Sequence, residues 1–152
     1  MRLVKGAGSI ETGACWMSAI SYYAGYEWSD HPECVDPVIR TLCIRLNDML
    51  PSDSERERVI GPHIMAPIGT AQGIDLMRSR AFVVADNAVR VWAPMAMDAC
   101  GRGVDAEKLR SLPKIVDADT AYAAAAASAA SAASAVRRGR RSRTRVPTSG
   151  TI

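Results

Sequence analysis

In this 152-residue chain, two residue types could carry nucleophilic chemistry: four cysteines and two histidines. Cys15 falls near the start of a predicted helix with Thr12 as its expected N-cap, and a thiol placed there is drawn towards thiolate by the helix dipole. His63 would be the base and Asp86 a carboxylate to orient it, a set that describes a compact thiol hydrolase. Such an enzyme normally holds its base on a strand, and no run here predicts one. The expected role of Cys15 is therefore a small buried core residue.

Metal chemistry has a weaker basis. His31, Cys34, Cys43 and Cys100 would have to be gathered from distant positions, and no CxxC pair gives zinc its usual close ligands. Asp30, Glu33, Asp36 and Asp48 lack the fixed spacing of a calcium loop. Gly6, Gly8 and Gly13 do not make a dinucleotide fingerprint. No metal and no cofactor are expected.

Two other groups of residues suit binding rather than catalysis. Trp16, Tyr22, Tyr23, Tyr26 and Trp28 hold five of the eight aromatic residues within thirteen positions, enough to leave an anchor for a partner protein outside the core. Arg137, Arg138, Arg140, Arg141, Arg143 and Arg145 lie in the last sixteen residues and could contact phosphates without reading sequence. No aromatic residue is interleaved there to stack on bases. With these six removed, 13 basic residues face 16 acidic ones, so the body is acidic and the tail basic.

The elements that must position these residues read as helices. Composition is 48% hydrophobic and 23% charged, ordinary for one soluble domain, and a core poor in aromatics favours helix-on-helix packing. Residues 1–12 show no periodicity and are expected to be a loose lead-in. A first helix follows, with Cys15, Ala19 and Tyr22 on one stripe and Gly25 as its stop. Asp36 and Pro37 read as N-cap and first residue of a second helix, carrying Val38, Ile39, Leu42, Cys43, Leu46 and Leu50 and closed by Pro51. Ser52 and Glu55 have capping-box spacing for a third, interrupted by Gly61 and Pro62.

Thr70 opens the longest helix, striped by Ile74, Met77, Ala81, Val84, Ala88 and Val91 and ending near Pro94. Asp105 would cap a short helix to Leu112, and Asp117 or Asp119 an alanine-rich one over 116–138. Beyond Gly139 the composition predicts a disordered basic tail, 139–152. The expected fold is all-α: a compact bundle of four to six helices with a body over 13–115.

Cys15-Trp-Met-Ser-Ala, Trp28-Ser-Asp-His-Pro-Glu-Cys-Val-Asp-Pro-Val-Ile39, Asn47-Asp48 and the run Pro62 to Thr70 resemble a family of uncharacterised proteins from actinobacteria and their phages. The resemblance covers roughly residues 13 to 115. It implies a helical body followed by a repetitive tail rich in Ala, Trp and Asp, in a phage or actinobacterial setting, and it implies no activity. Ala121 to Ala135 lacks the Trp and Asp repeats of such tails. Gly13-Ala14-Cys15-Trp16 also resembles the nucleophile's neighbourhood in papain-like proteases. That pattern has a second cysteine where Thr12 stands, an upstream glutamine and a histidine far downstream, and no histidine follows position 63 here.

Met1 to Gly13 contains no apolar run of export-signal length, and Thr120 to Val136 is too short and too weakly apolar for a membrane span. A cytoplasmic protein with reduced thiols is expected. The expected function is that of a small, non-enzymatic phage or bacterial interaction protein that binds a macromolecular partner, modulating a host protein or nucleoprotein complex. The rivals are a hydrolase using Cys15 and His63, and a nucleic-acid binder acting through the arginine tail.

Overall fold

The computed structural model describes residues 1–6 and 8–143, with side chains placed as far as residue 130. The protein is mainly helical, and the chain divides into two compact units, Met1–Arg80 and Ala81–Ile152.

The first unit opens with a short ladder where a loose lead-in is expected. Strands β1 (Gly8–Ser9) and β2 (Gly13–Ala14) pair antiparallel, and Leu3 bridges Ala14 in parallel from the other side. The Val4 amide donates to the Ala14 carbonyl at 2.9 Å, and the Ala14 amide to the Arg2 carbonyl at 3.0 Å. Gly8 and Gly13 are required here. Both have positive φ, and a Cβ on Gly8 would lie 2.0 Å from the Gly13 carbonyl oxygen. The N-terminal residues are therefore part of the core, with Leu3 fully buried.

Helix α1 (Trp16–Tyr23) follows β2 directly, and Cys15, not Thr12, is its N-cap. The reason is a competing local turn: Thr12 is occupied between β1 and β2, where its Oγ1 accepts the Ser9 amide at 3.0 Å. Trp16 to Ser21 are all buried, so α1 is enclosed on every side and is the centre of the unit. It stops in a Schellman turn. Gly25 adopts φ +75°, the Tyr26 amide reaches the Ser21 carbonyl at 2.9 Å and the Gly25 amide the Tyr22 carbonyl at 3.2 Å.

Helix α2 (Pro37–Met49) begins as its sequence predicts, with the Asp36 carboxylate accepting the Val38 and Ile39 amides. Leu50 is extended ahead of Pro51, as residues preceding proline prefer. The inward face keeps Ile39, Cys43 and Leu50 of the expected stripe but departs from it at the C-terminal turns. Cys43 and Asn47 are buried while Leu46 is 40% exposed. Helix α3 (Asp53–Ile60) carries the Ser52 cap to the Glu55 amide at 3.2 Å, and a 3₁₀ turn, Gly61–His63, leaves it. The core joins Leu3, Ala14, Trp16, Met17, Ile20, Val35, Cys43 and Ile60.

The boundary between units falls within α4 (Ile74–Asn87), which runs through a π-helical segment, Ala88–Trp92, into α5 (Ala93–Ala99). The expected stop at Pro94 does not occur. Proline lacks an amide hydrogen and its ring collides with the carbonyl four residues back in an α-helix. The wider π turn relieves this, with the Ala93 amide reaching the Ala88 carbonyl five residues back. Helix α6 (Gly103–Arg110) starts before Asp105, which is buried inside its first turn and paired with Arg102 and Lys108 instead of acting as the cap.

Helix α7 (Ala118–Arg143) is capped by Asp117, whose Oδ1 accepts the Thr120 amide at 2.8 Å. Its backbone continues past Gly139 to Arg143; alanine propensity sustains such a helix with little packing. The second unit's core holds Pro94, Ala106, Leu109, Ile115 and Ala124. Among the described residues no helix is long and apolar enough to cross a membrane.

Candidate functional site

Cys15 lies where β2 turns into α1, with its sulfur accepting the Ser18 amide at 3.4 Å and 3.3 Å from the Ser18 Oγ. The residue is 6% exposed. A thiol here completes a helix cap from inside the core. The adjacent Trp16 amide, one of the donors that helix starts leave unpaired, is taken by Asn47 Oδ1 at 3.2 Å.

Asn47 is the polar centre of the unit and the sequence pattern hides it. Its Nδ2 donates to the Val4 carbonyl at 3.1 Å and to Asp48 at 3.2 Å, so one side chain joins the N-terminal segment, the start of α1 and the end of α2. Arg56, equally buried, caps the carbonyls at the end of α2: Nε donates to Asn47 O at 2.8 Å and Nη2 to Leu50 O at 2.6 Å. The Asn47-Asp48 pair reads as a terminating turn in sequence, whereas Asn47 acts over distances of more than thirty residues in the chain.

The proposed catalytic partners are not hydrogen-bonded to Cys15 among the described residues. The His63 segment does lie against α1, through the Trp16 indole donating to the Ile64 carbonyl at 2.9 Å, but the His63 side chain is exposed. Asp86 belongs to the second unit, where Oδ1 accepts Arg90 at 3.1 Å and the Ile115 amide at 2.9 Å. It tethers the segment before α7. Among the described residues no cluster of His, Cys, Asp or Glu is arranged to hold a metal ion. Cys15, Cys34, Cys43 and Cys100 are unpaired, and burial pushes the Cys43 thiol up to about 11.

The aromatic group divides in two. Trp16 is a core residue and leaves the expected surface, because its indole is needed to fasten the segment after α3. Tyr22, Tyr23 and Tyr26 remain 47%, 44% and 45% exposed, with the first two rings edge to face at 5.6 Å. Trp28 is half-buried and walls a groove of about 400 Å³ with Gly8, Ser9, Ile10 and Glu11. A second cleft, of about 320 Å³, lies on the same turn, lined by Tyr26, Glu27, His31 and Glu33 among others.

The backbone of Arg137, Arg138, Arg140, Arg141 and Arg143 is part of α7, whereas their side chains and all of Arg145 lie outside the described residues. No protein-family model matches the sequence, and neither a curated protein nor a solved structure is similar to it.

Proposed function

We propose that this chain is a small, non-enzymatic interaction protein that binds a macromolecular partner through the tyrosine face at the end of α1. One observation carries the reading. Tyr22, Tyr23 and Tyr26 stand out of the surface at the foot of the most deeply buried helix, while the thiol with catalytic potential is spent on a cap. Tyrosine contributes large contact area with few rotatable bonds, so such rings lose little freedom on binding. The resemblance to phage and actinobacterial proteins points to a host or phage protein as partner, in the cytoplasm, where four unpaired thiols would stay reduced.

The test is affinity capture from an actinobacterial lysate with the wild-type chain, its Y22A/Y23A/Y26A variant and its C15S variant. A specific protein held by wild type and C15S but lost by the triple variant supports the reading. Equal capture by the tyrosine variant, or hydrolysis of a substrate that C15S abolishes, overturns it and favours the hydrolase of Cys15 and His63.

A further inference from the structure

We infer that the groove beside Trp28 receives the arginine-bearing C-terminal segment, residues 137–145, of a second copy of this chain. Apart from Tyr26, which also lines the second cleft, the inference uses different residues from the tyrosine face and stands without it. Its first ground is an unusual set of unpaired carboxylates. Glu11, Glu27 and Glu33 border the two clefts, are exposed, and have no hydrogen bond or ion pair among the described residues. Elsewhere Asp36, Asp53, Glu55, Asp86 and Asp98 each hold an arginine. The two clefts lie on either side of one turn, with an indole in the first and a phenol in the second.

That combination is chemistry for guanidinium. A planar cation stacks on an indole face while its edge N–H groups bind carboxylates in pairs, and arginine does both better than lysine. From residue 6 to residue 39 the sequence contains neither lysine nor arginine, but five acidic residues, and Arg2, whose guanidinium reaches the Thr12 carbonyl beside Glu11, pairs with Asp53 instead. The complementary charge is at the other end of the chain, six arginines within nine positions. Opposite charges segregated on one chain favour association between copies, and reciprocal exchange of tails closes a two-fold dimer.

The experiment uses full-length chains. Sedimentation is measured at about 100 µM protein in low salt and again at several-fold higher salt, where exposed charge pairs are screened. Wild type is expected to dimerise in low salt and to dissociate as salt rises. Replacing the six arginines by glutamine, or making E11Q/E27Q/E33Q, is expected to weaken dimerisation at least tenfold; the three glutamates are exposed and unpaired, so these changes leave the fold intact, as circular dichroism would verify.

The decisive arm mixes the two variants. The arginine-free chain keeps its groove and the glutamate-free chain keeps its tail, so adding the second to isotope-labelled first should shift the Trp28 indole N–H resonance. A monomeric wild type in low salt, a dimer indifferent to both variants, or no indole shift on mixing would each overturn the inference. So would a Trp28 shift between wild type and the arginine-free chain that is independent of concentration, since it would place the tail on its own molecule.

Discussion

Replacing Arg56 tests whether a buried guanidinium holds the first unit together. Its side chain is 4% exposed and donates three hydrogen bonds: to Asn47 O at 2.8 Å, to Leu50 O at 2.6 Å and to Asp53 at 2.8 Å. Truncation to alanine strands the Asn47 carbonyl away from water at the end of α2, removes a second capped carbonyl and opens a cavity the size of the arginine stem. Hydrogen bonds from charged donors are each worth about 1.5–3 kcal/mol, and breaking a buried charged pair costs about 3–5 kcal/mol. Asp53 is 43% exposed and can be rehydrated, which keeps R56A towards the lower part of that range, about 3–4 kcal/mol. R56K should recover less than half, because a point charge cannot reach two carbonyls in fork geometry.

Urea unfolding followed by circular dichroism gives the midpoints. With a slope of about 1–3 kcal/mol per molar urea, R56A should lower the midpoint by at least about 1 M. R58A is the control, since Arg58 pairs with Glu55 on the exposed face of the same helix and its loss should leave the midpoint unchanged. If R56A and R58A unfold together with wild type, the guanidinium is solvated in solution and the capping argument fails.

Three further outcomes follow from the same geometry. Burial raises the Asp36 carboxyl's pKa, but the Arg80 hydrogen bond, the Val38 and Ile39 amides and the Arg80 charge outweigh it and hold the value below the ordinary 3.8. The folded-state pKa being depressed, Asp36 stabilises the fold above pH 4 and that contribution is lost as pH falls through the folded value. D36N should therefore be less stable than wild type at pH 7, with the gap narrowing below pH 4 in thermal melts; a constant gap refutes the charge argument. Alkylation at pH 8 followed by mass spectrometry should label exposed Cys100 first, Cys34 next, and Cys15 and Cys43 only on unfolding; early labelling of Cys15 would restore it as a reactive thiol. G8A should destabilise far more than G25A. Both positions have positive φ, but a Cβ at Gly25 meets open space and one at Gly8 meets a carbonyl, so equal melting temperatures would dismiss the hairpin's close approach.

What could be read from sequence and what could not divides along the range of the interactions responsible. Asp36-Pro37, Ser52 with Glu55, and Gly25 each act on amides or carbonyls within a few residues, and each is found at the helix end it predicts. Thr12 predicts the start of α1 but does not cap it, because its hydroxyl is committed to Ser9 in the turn of the β1–β2 hairpin, which has no periodicity to announce it. Pro94 predicts a stop that does not occur, because the π turn that accommodates it has no residue signature. The same division runs through the site. Placing Cys15 near a helix start was within reach, whereas its enclosure depends on Leu3, Asn47 and Cys43 arriving from elsewhere. Trp16 and Trp28 are alike in composition and opposite in role, since Ile64 offers a carbonyl to the first indole and the turn at Gly8–Glu11 leaves the second beside open space. Binding surfaces are the part of such a protein that local rules describe least, because a residue becomes surface only when every other element has declined to cover it.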